Sequence, residues 1–176
     1  MQFVELIEDQ FTYGGKKYGL NANRESTDVL FDRHGKNWLF GTVDKYTFRY
    51  SNLKRERDIL KIATYMFIIW LKRGFHVMPK GVNDPPIDTN VEIKTRYFNK
   101  FIERVKNTDI SLDFLKSSDR MKSISEELGS FSNLEWVNIS EYSLIKIFRL
   151  AEAEWDLNFK NVEEHDKDTE NEKQKQ

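Results

Sequence analysis

Four short stretches within the first 65 residues carry side chains suited to holding a phosphate. The first is Tyr13-Gly14-Gly15-Lys16-Lys17-Tyr18-Gly19, which sets two ammonium groups and two aromatic rings on a glycine-rich backbone. Backbone N–H groups beside glycines cradle anions, lysine supplies charge, and a tyrosine ring stacks on a base. Taken alone, this stretch reads first as a plain basic loop. The second is Ser26-Thr27-Asp28, hydroxyls at an expected helix start, where anions bind but where simple capping is the commoner role. The third is Gly35-Lys36-Asn37-Trp38 followed by Lys45 and Arg49, which a helix would place on one face, one turn apart. Two cations so placed repel each other unless an anion or carboxylates lie between them. The fourth, 55–65, runs from Arg55-Glu56-Arg57-Asp58 through Lys61 to Tyr65, and its Glu56 and Asp58 are of the type that binds Mg²⁺ or activates water. Only the combination of the four lifts an anion pocket above ordinary surface charge.

Other chemistries are poorly served. There is no G-x-x-x-x-G-K-[ST] loop, no G-x-G-x-x-G fingerprint, no H-E-x-x-H pair and no G-x-S-x-G elbow. The histidines, His34, His76 and His165, have no partner at metal-ligand spacing. Cysteine is absent, which removes disulfides and thiolate chemistry and fits a reducing, cytoplasmic setting. The first residues lack the basic start and apolar run of a signal peptide.

The elements that must position these residues follow from composition and periodicity. The chain has 176 residues, enough for one domain with a proper core; 14% are aromatic, which argues against wholesale disorder. The longest apolar stretch, 59–71, is 13 residues, short of the roughly 20 that a membrane span needs. Residues 14–61 hold 11 Lys/Arg against 6 Asp/Glu, while the whole chain sums to −1. A local basic surplus in a near-neutral protein points to a small anionic ligand more than to long nucleic acid, which needs a broad basic face.

The spacing predicts a helix over 2–11 that Gly14-Gly15 breaks, a polar loop over 16–23, and a short helix capped by Ser26 or Thr27 that runs through Phe31 and stops at Gly35. Residues 37–52 fit either a strand pair turning at Gly41 or a helix from near Thr42, and the helix is preferred. The strongest helix is 55–73, apolar all round in its second half and ended by Gly74. Prolines make 78–89 an extended connection. An amphipathic helix follows over 90–106, then one capped by Asp109 or Ser111 running to Leu128, a loop over 129–138, and a last helix capped by Ser140. The expected fold is mainly α, a compact helical bundle with long loops: a single domain over 1–159, with a ligand-binding half (1–75) and a packing half (90–159), then a disordered tail over 160–176. The apolar residues of 90–155 exceed what one small bundle readily buries, so a homo-oligomer is expected.

Lys17-Tyr18-Gly19, then Trp38, then Asp44-Lys45 with Arg49-Tyr50-Ser51-Asn52-Leu53, then an acidic turn leading to Ala63-Thr64-Tyr65, resembles the nucleotide modification associated domain 1 family. The same order is similar to phage dATP/dGTP diphosphohydrolases and MazG-like all-helical pyrophosphatases. The resemblance covers about the first 75 residues and implies an all-α fold, deoxynucleotide substrates and carboxylate-bound Mg²⁺. The chain departs from the pattern where an aspartate generally stands four residues before the helix tyrosine: that position is Lys61, and the one eight before is Arg57. Such changes remove metal ligands and add phosphate ligands. Glu56 and Asp58 are displaced in register, and Glu126-Glu127 are too distant in sequence to be assigned to the same site.

The resulting expectation is a nucleotide-binding protein. Lys16, Lys17, Lys45, Arg49 and Lys61 contact phosphate, Tyr18 and Trp38 contact the base, and Glu56 and Asp58 hold Mg²⁺ if a metal is bound. Binding without cleavage, as in a phage protein that sequesters a nucleotide signal of host immunity, is the first reading. The alternatives are a Mg²⁺-dependent nucleoside triphosphate diphosphohydrolase, with Glu56 and Asp58 as catalytic candidates, and a protein- or nucleic-acid-interaction module.

Overall fold

The most apolar run of the chain becomes the axis of the molecule. A computed structural model describes residues 2–19, 24–77, 85–112 and 115–160. In it Glu56–Lys72 is a helix, α4, buried at nearly every position from Asp58 to Lys72. A helix apolar all round must be covered on all sides. Four others do this: α1 (Phe3–Gly19), α3 (Lys36–Leu53), α5 (Val91–Asn107) and α7 (Glu141–Asn158). Two more complete the bundle, α2 (Ser26–His34) against α3, and α6 (Ser117–Phe131) against α3 and α7. Among the described residues there are only helices and two single 3-10 turns, at Phe75–Val77 and Trp136–Asn138. The all-α expectation holds. No described helix is long and apolar enough to cross a membrane.

The core is a continuous aromatic stack. Phe67 of α4 meets Phe11 at 5.8 Å, Phe98 at 5.2 Å and Phe101 at 5.2 Å between ring centroids, and Phe101 meets Phe148 edge-on at 5.1 Å. Offset and edge-on ring pairs of this kind add to the burial each ring contributes. Phe98, Phe101, Ile102 and Val105 of α5, and Leu144, Ile147, Phe148 and Ala151 of α7, are all in this core. Much of the apolar surface that suggested self-association is therefore buried within one chain, while Val137 and Tyr142 stay exposed.

Several boundaries differ from the sequence expectation, each for a local reason. α1 does not break at Gly14-Gly15 but continues to Gly19. Two glycines cost about 1 kcal/mol each in a helix, and the buried stripe of Phe3, Ile7 and Phe11 nucleates a helix that then propagates cheaply. The expected loop over 16–23 is thus helical as far as Gly19, and its remainder lies outside the described residues. α2 begins at the predicted Ser26 but is capped by Glu25, whose N–H donates to Asp28 Oδ2 at 3.0 Å. It runs on to His34 and stops at Gly35, which takes φ 73° as only glycine does readily. That turn launches α3 at Lys36 instead of near Thr42, and buried Leu39, Phe40, Val43, Thr47 and Tyr50 repeat at helical spacing straight through Gly41. The strand alternative at Gly41 is excluded.

α6 starts at Ser117, well past Asp109 and Ser111. Arg149 explains the delay: its Nη1 donates to the carbonyl of Thr108 at 3.1 Å and its Nη2 to that of Ile110 at 3.5 Å, while Ile110 itself is buried. Both the carbonyls and the side chain of this stretch are claimed by the core. At its other end α6 passes the expected stop at Gly129, because Ile124, Leu128 and Phe131 continue the buried face. The helices over 55–73 and 90–106 fall where expected, and Asn90 caps α5 by accepting from the Ile93 N–H at 2.9 Å. Residues 85–89 form neither helix nor strand, and 78–84 of the expected connection and the tail over 161–176 lie outside the described residues.

Ser140 caps α7 as predicted, its Oγ accepting from the Ser143 N–H at 3.1 Å. Ser140→Ala is expected to lower unfolding free energy by about 1 kcal/mol, read as a shift of the urea midpoint at unchanged slope.

Candidate functional site

α3 and α4 are joined by two residues and run antiparallel, which makes a long two-helix hairpin with a legible register. The rings of Tyr46 and Tyr65 stack at 5.9 Å between centroids. Four residues further along α3 and four back along α4, Tyr50 and Lys61 come level, with Arg49 beside them. At the tip, Lys54 adopts φ 51°, its N–H donates to the Tyr50 carbonyl at 2.9 Å, and its ammonium stands 4.9 Å from the Tyr50 ring centroid.

Along α3 the positions Trp38, Thr42, Lys45 and Arg49 follow at four, three and four residues, one face of the helix. Trp38 is half-buried and packs against the core, while Lys45 and Arg49 are exposed. Lys45 Nζ stands 4.9 Å from the Tyr46 centroid. Neither Lys45 nor Arg49 has a carboxylate partner among the described residues, and the same is true of exposed Lys54, Arg55 and Arg57. The cations elsewhere in the core layers are engaged: Lys72, Lys94, Arg120 and Lys146 each hold a carboxylate. One end of one hairpin thus concentrates cations that no described carboxylate pairs. Sequence reading named Lys45 and Arg49 here, and Arg57 as a cation standing where the related pattern carries a carboxylate; it did not name Lys54 and Arg55 as ligand groups, although basic residues crowd about this helix junction.

The remaining expected site residues are dispersed. α1 runs parallel to α4, since Gln10 accepts from Thr64 Oγ1 at 2.8 Å and Phe11 meets Phe67. The backbone of Lys16, Lys17 and Tyr18 therefore advances toward the C-terminal end of α4, roughly 15 Å along the axis from the level of Lys61 at 1.5 Å per residue. Their side chains lie outside the described residues. Lys61 is half-buried on α4, one turn before Tyr65, whose phenol burial first and Tyr46 second push up to about 12.

Glu56 and Asp58 do not form a metal pair. Two residues apart on a helix, they point roughly 200° away from each other. Asp58 is buried with neither carboxylate oxygen hydrogen-bonded, while Glu56 is half-buried. No group of three His, Asp or Glu side chains converges among the described residues. Glu126 and Glu127 instead line a shallow surface cleft of about 170 Å³ with Ser123, Ser130 and Lys146, between α6 and α7.

In the Ser26-Thr27-Asp28 stretch, read as a possible anion site, Ser26 is exposed and Thr27 half-buried, while Asp28 is turned to the interior. Asp28 Oδ1 accepts from Lys72 Nζ at 2.7 Å, from the Thr89 N–H at 2.8 Å and from Thr89 Oγ1 at 3.0 Å. Burial opposes ionisation of Asp28, but the Lys72 ammonium and the N–H donors outweigh it and hold the carboxyl below its ordinary range. Neighbouring Glu25 pairs with Lys94 at 2.8 Å, yet burial exceeds that attraction and its carboxyl is raised. This lock fastens α2 to the end of α4, to the 87–89 segment and to α5.

A second buried network reaches under the hairpin tip. Glu154, fully buried on α7, accepts from the Tyr50 hydroxyl at 2.9 Å, from Arg120 Nε at 3.2 Å and from Asn158 Nδ2 at 2.9 Å. It sets the position of Tyr50, and so of Lys54 and Arg49 beside it.

No protein family matches this chain, and neither does a curated protein or a solved structure. The resemblance to nucleotide-handling families accordingly stands on the quoted motifs alone.

Proposed function

We propose that the chain binds a phosphorylated nucleotide along α3 and holds it without cleaving it. The observation that supports this is the pair of exposed cations, Lys45 and Arg49, on one helix face with no carboxylate partner among the described residues. Trp38 lies seven residues before Lys45, about 10 Å along the same face, the span of a nucleoside and its first phosphates. The base would lie against Trp38, the phosphates would take Lys45 and Arg49, and Lys61 would approach from α4. Exposed cations with no carboxylate partner keep most of their hydration until an anion replaces it, and charge-assisted bonds to phosphate are the strong kind.

Holding is favoured over hydrolysis by the carboxylates. A Mg²⁺-dependent diphosphohydrolase needs several oxygen ligands around one ion, and Glu56 and Asp58 project to different sides of α4. Sequestration of a nucleotide signal by a phage-encoded protein is the biological role that the motif resemblance implies.

The test is titration calorimetry against nucleoside triphosphates and cyclic dinucleotides, with and without a chelator, followed by chromatography of the released ligand. A charge-assisted contact contributes about 1.5–3 kcal/mol, so Lys45→Gln and Arg49→Gln are each expected to weaken binding at least tenfold, with the ligand recovered intact. Conversion to a monophosphate would replace the binding role with the hydrolase. Absence of binding by every nucleotide would remove the proposal.

A further inference from the structure

The exposed side chains at the tip of the α3–α4 hairpin are apolar, cationic or small and polar. Over residues 48–57, Phe48 is 72% exposed and Leu53 54%. Arg49, Lys54, Arg55 and Arg57 are exposed beside them, none with a carboxylate partner among the described residues. Ser51 and Asn52 complete the exposed set, and the only acid of the stretch, Glu56, is half-buried. α7 ends against the same place: Asn158 donates Nδ2 to the Tyr50 hydroxyl at 3.4 Å, which brings Leu157, 65% exposed, to this end of the bundle. The whole chain sums to −1, so the positive surplus is local to the tip.

The fold holds these groups in place. The Lys54 ammonium stands 4.9 Å from the Tyr50 ring, and the Tyr50 hydroxyl donates to buried Glu154 at 2.9 Å. Phe48 and Leu53 are five residues apart, roughly 7.5 Å along the axis of α3. A helix reversal is convex, so a protein partner would need a hollow shaped to it, whereas a lipid surface yields to it. An anionic bilayer also complements both kinds of side chain at once. Its acyl boundary takes apolar groups to a depth of about 5–10 Å, enough for Phe48 and Leu53 together, while its phosphates take the cations. Nucleic acid would engage the cations but give Leu53 nothing.

We infer that the α3–α4 tip docks on the surface of an anionic lipid bilayer, with Phe48 and Leu53 entering the headgroup layer and Arg49, Lys54, Arg55 and Arg57 against lipid phosphates. The attachment is peripheral, since no described helix is long and apolar enough to cross. Each cation near such a surface contributes about a fivefold gain in partitioning. That attraction fades beyond roughly 8 Å at about 0.15 M salt, so charge draws the tip in and apolar burial keeps it there. The docking does not rest on the nucleotide-binding reading. Arg49 is common to both surfaces, whereas Phe48 and Leu53 belong to this one alone.

The experiment floats the full chain with vesicles of phosphatidylcholine alone or mixed with phosphatidylglycerol. Flotation is expected only with the mixed vesicles. Replacing three cations together, Lys54→Gln, Arg55→Gln and Arg57→Gln, is expected to lower partitioning about a hundredfold, and Phe48→Ser with Leu53→Ser at least tenfold. All five side chains are exposed, so unchanged urea midpoints are expected to show that the variants fold. Because the chain has no cysteine, an environment-sensitive dye on Asn52→Cys or on Ser132→Cys reports which end meets the lipid. Ser132 lies at the other end of α3, where its carbonyl accepts from Lys36 Nζ at 3.4 Å. A blue shift is expected at position 52 and none at 132. No flotation with the mixed vesicles at low salt would overturn the docking, as would flotation indifferent to Phe48→Ser with Leu53→Ser, or a shift at 132 instead of 52. Binding of a short DNA duplex without flotation would replace lipid with nucleic acid. Nucleotide titration of the Phe48→Ser, Leu53→Ser chain, expected to match wild type, keeps the two proposals separate: either can fail while the other holds.

Discussion

Lys72→Met is expected to lower the unfolding free energy by about 3–5 kcal/mol, the cost of stranding one member of a buried ion pair. Asp28 and Lys72 are both almost wholly inaccessible, and their 2.7 Å contact joins the first turn of α2 to the last turn of α4. Methionine fills the space of the lysine stem but leaves the Asp28 carboxylate with three neutral donors, the N–H groups of Glu25 and Thr89 and the Thr89 hydroxyl. The pH dependence identifies the cause. The folded carboxyl of Asp28 lies below its unfolded value, so its contribution is fully present above the ordinary aspartate range near 3.9 and is lost as pH falls through the folded value. The difference between wild type and Lys72→Met should therefore be largest near neutrality and shrink in acid. Adding Asp28→Asn to Lys72→Met should recover part of the loss, a coupling that a double-mutant cycle in urea measures. A loss under about 1 kcal/mol would mean that the pair is not a fastening of the fold.

Glu154→Ala is expected to be as damaging, again about 3–5 kcal/mol. It would leave the buried Arg120 guanidinium, whose Nη2 already lacks a partner, without its carboxylate, and Tyr50 without its acceptor. The Tyr50 phenol, raised by burial and then by Glu154, stays protonated and is a donor throughout the accessible range. Glu154→Gln keeps the shape but not the charge and should fall between the two in urea unfolding. Because Tyr50 lies beneath Lys54 and beside Arg49, Glu154→Gln should also weaken nucleotide binding while the protein remains folded. Full stability in Glu154→Ala would show that α3, α6 and α7 are held by apolar packing alone.

What was legible in the sequence was what local physics decides. The all-round apolar character of 59–71 announced the buried central helix, and Gly35, Asn90 and Ser140 punctuate the chain as their types predict. Positions governed by distant partners were not legible. Gly14-Gly15 reads as a break until the packing of Phe11 on Phe67 and Phe98 extends the helix through it. Asp109 and Ser111 read as caps until Arg149, about 40 positions later, claims the neighbouring carbonyls. The candidate site shows the same division. Lys45 and Arg49 are brought onto one face by helical spacing alone, which the sequence carries. Lys16 and Lys17 join or leave a site according to whether α1 runs parallel or antiparallel to α4, and spacing carries nothing of that. The two buried networks had a faint signal: Lys72 closes the most apolar run, and Glu154 sits at core spacing beside Ala151 and Trp155.

The left-handed backbone at Lys54 sets two selective pressures against each other. A non-glycine residue held there forfeits about 1–2 kcal/mol, most of which glycine would restore. Evolution for heat resistance alone would accordingly replace this lysine, and in doing so would discharge the hairpin tip. A lineage that keeps lysine at this position accepts a less durable fold in exchange for a cation where the chain reverses.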